Sequence, residues 1–264
     1  MARRARLDAE LVRRGLARSR EHAAGLIAEG RVKVAGSVAT KPATAVDAAT
    51  PVLVEADEGE QWVSRGAHKL LGALDALGYD PTAKRALDAG ASTGGFTDVL
   101  LRRGAAHVVA VDVGYGLIAW SLRTDERVTV VERVNARNLE PDQVGEPVDL
   151  VVADLSFIPL GLVLPALVRC ATPDADFLPM VKPQFEVGRE NLPSGGVVRD
   201  PQTRASAVRR VAAQAAELGL GVRGVVASPL PGPSGNVEYF LWLRAGAPPL
   251  VEADLQRAVL EGPT

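Results

Sequence analysis

The sequence predicts an α/β protein, a mostly parallel sheet with helices on both faces, joined to a small basic α+β module at its N-terminal end. Three observations predict it. From residue 64 onward, short apolar runs alternate with amphipathic helical stretches, and near-continuous apolar strands belong to sheets covered on both sides. Four of those runs end on Gly90, Asp112, Asp154 and Lys182, and in an open α/β sheet ligands bind beyond the carboxyl ends of the strands. Residues 1–42 hold 10 Lys and Arg against 4 Asp and Glu, while the rest of the chain holds 20 against 28, so a +6 segment precedes a −8 body. That asymmetry makes nucleic acid the first partner to consider.

The basic segment reads as two short helices and a strand meander. Leu7, Leu11 and Leu16 in LDAELVRRGL share a helical stripe with arginines on the other face. Ser19 is placed to cap a second helix, REHAAGLIAEG, which Gly30 would end. RVKVAGSVATKP alternates at Val32 and Val34 and turns at Gly36-Ser37, and TPVLVE is a further short strand. The module is expected over residues 1–60, a connector over 61–64 and the α/β body over 65–264. Trp62 in the connector is expected to pack rather than to stand as an exposed stacking platform.

The body opens with the helix SRGAHKLLGALDALG, apolar at Leu70, Leu74 and Leu77. Strand RALDAG, helix FTDVLLRRG, strand HVVAVDV, helix LIAWSLR and strand VTVVER follow. Then come strand VDLVVAD, helix LVLPALVRCA, strand FLPMVK, the long helix PQTRASAVRRVAAQAAELGL, and strands VRGVVASPL and VEYFLWLRA. The tail AGAPPLVEADLQRAVLEGPT gives only a weak pattern.

Composition removes several function classes. Apolar content of 47% with 23% charged residues is that of an ordinary globular protein. One cysteine, Cys170, allows no intrachain disulfide, and the three histidines show no metal-ligand spacing, so no metal is expected. The first ten residues lack the apolar core of a signal peptide, and LSFIPLGLVLPALV is too short to span a bilayer. A cytoplasmic location is expected.

The turn DAGASTGGF, Asp88 to Phe96, opens on a strand end. Its glycines let backbone approach a ligand closely at a helix start. Their spacing is not the dinucleotide fingerprint, and no basic residue waits there for a phosphate. Asp112, about two dozen residues after Asp88, is placed to accept ribose hydroxyls. A glycine turn with a ribose acid and no phosphate handling suits S-adenosylmethionine better than a nicotinamide cofactor. Lys182 ends an apolar run directly before Pro183, and Glu238 is the only charge in NVEYFLWL. Such groups are costly to bury unless paired or used.

LDAGASTGGF, VVADLSFI, VKPQFE and GNVEYFLWL resemble the FtsJ-like ribose 2′-O-methyltransferases. RLD, GLARSRE, LIAEGRVKVAG and the following KP resemble the ribosomal-protein S-four-type RNA-binding domain. Together, over residues 1–250, the chain resembles the TlyA (haemolysin A) family of rRNA cytidine-2′-O-methyltransferases. The resemblance implies a Rossmann-like class I methyltransferase sheet behind an RNA-binding domain, acting on rRNA or ribosomal subunits with S-adenosyl-L-methionine. It implies a catalytic set of Lys69, Asp154, Lys182 and Glu238, with Lys182 taking the proton of a ribose 2′-hydroxyl or aiming its oxygen. It implies cofactor contacts from Gly90, Ser92, Gly94, Gly95, Phe96, Asp112, Asn135 and Asp154. RNA contacts are expected from Arg4, Arg6, Arg13, Arg14, Arg18, Arg20, Lys33 and Lys41. Two other functions compete: a non-catalytic RNA-binding or ribosome-assembly protein, and a haemolysin, for which no spanning element is visible.

Overall fold

The structure is a computed structural model that describes residues 5–17, 19–28, 30–47, 49–54, 62–188, 190 and 192–263. The chain divides into two compact units, residues 1–61 and 62–264.

In the first unit, helices α1 (Leu7–Arg13) and α2 (Arg20–Ala28) pack through Leu7, Leu11, Ala23, Leu26 and Ile27. A two-stranded ladder joins β1 (Ala5–Arg6) to β4 (Ala45–Val46), and a second sheet has the order β3 (Ser37–Val38), β2 (Val32–Val34), β5 (Val52–Val54). Ser19 Oγ accepts from His22 N–H at 3.1 Å, the expected cap. Two details differ from the sequence reading. Gly15, at φ 71, follows the end of α1 and leaves Leu16 exposed instead of on the apolar stripe. The β2–β3 turn is Ala35-Gly36, both at positive φ, one residue earlier than expected. A two-residue hairpin of this kind needs both central residues left-handed, which matches the twist of the strands.

The second unit is a seven-stranded sheet. Its strands are β6 (Arg85–Ala89), β7 (His107–Asp112), β8 (Val128–Glu132), β9 (Val148–Ala153), β10 (Ala171–Val181), β11 (Leu220–Ala227) and β12 (Tyr239–Ala245), in the order β11-β12-β10-β9-β6-β7-β8. β12 alone runs against the others. The chain leaves β6 for β7 and β8 on one side and returns to β9 on the other. The crevice at the carboxyl ends of β6 and β9 is therefore the switch point where such sheets bind ligands.

Side chains alternate between two cores as the pleat requires. Ala86, Val108, Ala110, Leu150, Val152, Leu178 and Met180 face α3 (Gly66–Leu77), α4 (Gly95–Arg102) and α5 (Trp120–Arg123). Leu87, Val109, Val111, Val151, Phe177 and Val181 face α7 (Leu164–Arg169), α9 (Pro201–Glu217) and α10 (Glu252–Glu261). α6 (Pro141–Val144) is a single turn closed by a capping box between Glu140 and Gln143. Helix α10 lies in the tail whose pattern looked weak; it buries Leu255, Ala258 and Val259 on the outer core. Another short helix, α8 (Pro183–Glu186), follows Lys182 directly.

One buried carboxylate fixes the direction of α3. Asp176, midway along β10, accepts from Tyr79 Oη at 3.2 Å, Trp242 Nε1 at 2.7 Å and Arg244 Nη1 at 3.1 Å. Tyr79 follows the left-handed Gly78 that ends α3, and its ring meets Trp242 edge-on. The C-terminal end of α3 is thus tied to the middle of β10, five residues before that strand's end at Val181, and the N-terminal half of α3 reaches the carboxyl edge, where Lys69 meets Glu238. Replacing Asp176 with Ala strands three donors, one of them charged, and is expected to lower the unfolding free energy by about 3 kcal/mol in urea titrations. A midpoint unchanged from wild type would show that the cluster does not anchor α3.

Candidate active site

Four charged residues distant in sequence meet at the carboxyl end of the sheet. The β10–β12 ladder closes with Val181 opposite Tyr239, so Lys182 and Glu238, one residue beyond each, emerge at the same edge. Glu238 is 1% exposed, and its Oε2 accepts from Lys69 Nζ at 2.6 Å. The N-terminal half of α3 delivers Lys69 there, beside the buried Leu70. Lys182 Nζ lies 2.5 Å from Asp154 Oδ1 and donates to Ser156 Oγ at 3.0 Å. Asp154 leaves β9 with its N–H on the Ala89 carbonyl at 3.0 Å. The Asp154 side chain keeps 24% of its surface open while that of Glu238 keeps 1%, so the Lys182–Asp154 pair is the one that faces solution. Lys182 has extended backbone, φ −111 and ψ 100, the conformation that a following proline favours.

The glycine turn lies against this edge. Gly90 sits at φ 88, and a Cβ there would come within 2.5 Å of the Asp154 carbonyl oxygen. Glycine is therefore required for the exits of β6 and β9 to touch. Gly94, at φ 98, caps α4, and a Cβ on Gly95 would lie 3.0 Å from the Ala67 nitrogen at the start of α3. Ser92 is exposed and left-handed, at φ 50. Asp112 ends β7; its Oδ2 accepts from Ser92 N–H at 2.8 Å and its Oδ1 from Gly114 N–H at 2.7 Å. Each oxygen keeps a further lone pair for a hydroxyl. Asn135 is exposed and caps a short turn through Arg137 N–H at 3.0 Å. Its loop is tied to the β7 exit by Val134 N–H on the Asp112 carbonyl at 3.1 Å. These residues line the ends of β6, β7 and β8 in a row. Phe96 differs from its expected role: it is buried against Phe240, ring centroids 5.9 Å apart. Its side chain belongs to the core, and its backbone is the second residue of α4.

Two residues near the site had drawn no role. Ser156, two positions after Asp154, bonds Lys182; a hydroxyl in a loop gives no signal of that in sequence. Asp88, the first letter of the glycine turn, is fully buried, with Oδ2 accepting from Thr97 Oγ1 at 2.7 Å and Oδ1 without a partner among the described residues. Burial, with Asp154 and Asp112 nearby, pushes Asp88 up to about 7 against the opposing bond from Thr97. An apolar strand ending in a carboxylate could have flagged it.

In the first unit, four of the expected RNA contacts are organised by two buried acids. Asp8 accepts from Arg6 at 3.0 Å and Arg20 at 2.9 Å. Glu10 accepts from Arg13 at 2.6 Å and Arg14 at 2.7 Å. The guanidinium of Arg6 holds Asp8 well below the usual carboxylate range, and Arg13 and Arg14 hold Glu10 down to about 2. Arg14 also donates to the carbonyls of Thr50 and Asp47 at 2.8 and 2.9 Å, so its guanidinium is largely spent inside the unit. Arg6, Arg13 and Arg20 remain more than half exposed. Lys33 is half-buried on β2 and Lys41 exposed; Arg4 and Arg18 lie outside the described residues. Trp62 packs within the second unit, edge-on to His68 and under the Arg102 guanidinium, 4.5 Å from the ring centre.

Residues 62–245 match the family described as FtsJ-like methyltransferase, and residues 5–50 match the S4 domain. The chain belongs to the FtsJ-like methyltransferase family. It is 63% identical, over the full length of both chains, to the 16S/23S rRNA (cytidine-2′-O)-methyltransferase TlyA of Mycobacterium tuberculosis. It is 32% identical to Hemolysin A of Brachyspira hyodysenteriae, over 89% of this chain and 97% of that one. A solved structure from Streptococcus thermophilus, 34% identical, covers 99% of this chain and 96% of its own with a TM-score of 0.78. The matched FtsJ-like region spans the row of strand ends at the switch point.

The Asp88 proton sets a pH dependence. An acid whose folded pKa lies near 7 against an ordinary 3.8 binds more protons folded than unfolded between those values. Stability is therefore expected to fall as pH rises from about 4 to about 7, by on the order of 4 kcal/mol from this group alone. Asp88→Asn keeps the acceptor for Thr97 and removes the titration. Denaturant midpoints of the two proteins should diverge across that window, with wild type losing ground; parallel curves would place the proton elsewhere.

Proposed function

We propose that this FtsJ-like methyltransferase transfers a methyl group from S-adenosyl-L-methionine to the ribose 2′-oxygen of cytidine in small- and large-subunit rRNA. The observation that supports it most is the meeting of Lys182–Asp154 and Lys69–Glu238 at one strand edge beside the glycine turn. The TlyA enzyme named above, alike over its whole length, points to the same reaction and to cytidine.

The residues of the turn fit the cofactor. Gly90, Ser92, Gly94, Gly95 and Phe96 form the turn at the β6 exit and the start of α4 that the cofactor would meet, Asp112 has lone pairs for ribose hydroxyls, and Asn135 stands exposed for the adenine. When bound, S-adenosyl-L-methionine supplies a methyl group on a sulfonium, and its transfer leaves a neutral thioether and one proton. Lys182 meets the 2′-hydroxyl. Two N–H bonds of Lys182 go to Asp154 and Ser156; the third donates to the 2′-oxygen when the group is an ammonium, or, in the neutral amine, the lone pair takes the hydroxyl proton. Asp154, open to solution, takes the released proton toward water. Lys69, paired with the deeply buried Glu238, holds its amine at a fixed place beside the ribose site. Much of the rate gain then comes from orientation, for which a displacement of about 1 Å costs roughly 100-fold.

Arg6, Arg13, Arg20, Lys33 and Lys41 of the first unit, with Arg4, Arg18 and the more committed Arg14, bind the phosphate backbone of structured RNA, which is read mainly by shape. The partner is rRNA or a ribosomal subunit, and the place of action is the cytoplasm. No helix among the described residues is long and apolar enough to cross a membrane, so a membrane-lytic role has no spanning helix to rest on.

The test is to map 2′-O-methyl marks on rRNA and on isolated subunits after incubation with protein and labelled cofactor. Marks on cytidine are expected with wild type. Lys182→Ala should lose at least about 100-fold in turnover with cofactor and RNA binding intact, and Lys69→Ala and Glu238→Ala should fall with it. Undiminished methylation by Lys182→Ala removes this residue from the mechanism, and marks on a base or on no nucleotide at all overturn the reaction.

A further inference from the structure

Lys182 is held by more than its carboxylate. Asp154 and Ser156, its two partners, stand two positions apart on one loop, residues 154–159, which runs from the end of β9 to Leu160. An ion pair alone leaves an ammonium free to swing about its carboxylate. A second acceptor at 3.0 Å removes that freedom. The loop itself is under constraint. Phe157 has φ 65, a left-handed conformation that a bulky side chain keeps only where its surroundings enforce it.

The loop is tied to α8, the turn that begins directly after Lys182. Phe157 is 90% exposed, and its ring touches only the edge of α8, 5.1 Å between centroids from Phe185. Glu186 Oε1 accepts from Leu160 N–H at 2.8 Å, at the far end of the loop. Glu186 is 3% exposed, and its Oε2 is buried without a protein partner among the described residues. Such a carboxylate costs stability unless the bond it makes repays it. Burial pushes Glu186 up to about 6, with the Leu160 bond and the Arg210 charge opposing. Arg210 Nη1 donates to the Glu186 carbonyl at 2.7 Å and fastens α8 to α9.

We propose that Ser156 and Glu186 are positioning residues for methyl transfer: Ser156 fixes the Lys182 amine against Asp154, and Glu186 clamps the loop bearing both partners to the turn that follows Lys182. This rests on the reading of Lys182 as the group that meets the ribose. The loop and α8 leave neighbouring strands, β9 and β10, and the Glu186–Leu160 bond makes them one body, so that the amine and its two acceptors move together.

The experiment measures kcat, the KM for rRNA and the cofactor Kd for Ser156→Ala, Ser156→Thr, Glu186→Ala and Glu186→Gln, with Lys182→Ala alongside. Ser156 is exposed, so its variants fold. Ser156→Ala should lower kcat about tenfold with KM and cofactor Kd unchanged, and Ser156→Thr, which keeps the hydroxyl, should restore the rate. Glu186→Ala should lower kcat by a similar or larger factor, while Glu186→Gln, which keeps a carbonyl acceptor for Leu160, should stay near wild type. If Glu186→Ala does not fold, the Ser156 pair decides. Rates within about twofold of wild type in Ser156→Ala overturn the inference, as does a loss that Thr does not rescue or that tracks a loss of cofactor binding. Full turnover in Lys182→Ala would instead remove the reading beneath it, whereas loss there with normal rates in Ser156→Ala removes the inference alone.

Discussion

Two ammonium groups lie almost out of water at one end of a sheet, each held by a single carboxylate, and the fold is arranged around keeping them there. Buried ion pairs of this kind rarely add stability, because desolvation offsets the attraction, and apolar residues of the same volume do as well or better. Their presence therefore points to chemistry. The arrangement that delivers them is economical. Asp154 and Lys182 end neighbouring parallel strands, and Glu238 arrives beside Lys182 because β12 runs in the opposite direction. Lys69 arrives because the Asp176 cluster fixes α3 at its far end.

Backbone conformation supports the same edge. Among the described residues, the left-handed non-glycine positions include Ser92, Arg133 and Phe157, which lie on the loops leaving β6, β8 and β9. Strain of this kind persists where the surroundings over-determine it, and it gathers at functional sites. Gly90 solves the related problem of approach, since any side chain there would meet the Asp154 backbone. The rim is thus a set of loops pressed into close contact, with the charged side chains held between them.

The N-terminal unit applies similar physics to another end. Its arginines are not a loose charged surface. Asp8 and Glu10, both buried, each grip two guanidinium groups, and a cation already held in place loses less freedom on meeting a phosphate. The same grip divides the arginines by role, because Arg14 also closes the unit through the Thr50 and Asp47 carbonyls.

The sequence by itself determined the fold class, the run of strands and helices in the body, and the four strand-end residues, because apolar periodicity and the polar letter that ends each run are local facts. Resemblance to known families joined Lys69 and Glu238 to the set, a pairing that no local pattern gives. Short elements escaped it: β1 and β4 have two residues each, too few to show a period, and α10 becomes visible only through the core it covers. Tertiary structure alone decided which amine meets which acid, that Phe96 turns into the core, that burial raises Asp88 to about 7, that Ser156 bonds Lys182 and that Glu186 bonds the far end of its loop. Each of these depends on burial and on contacts between residues far apart in the chain, and a linear pattern holds no record of either.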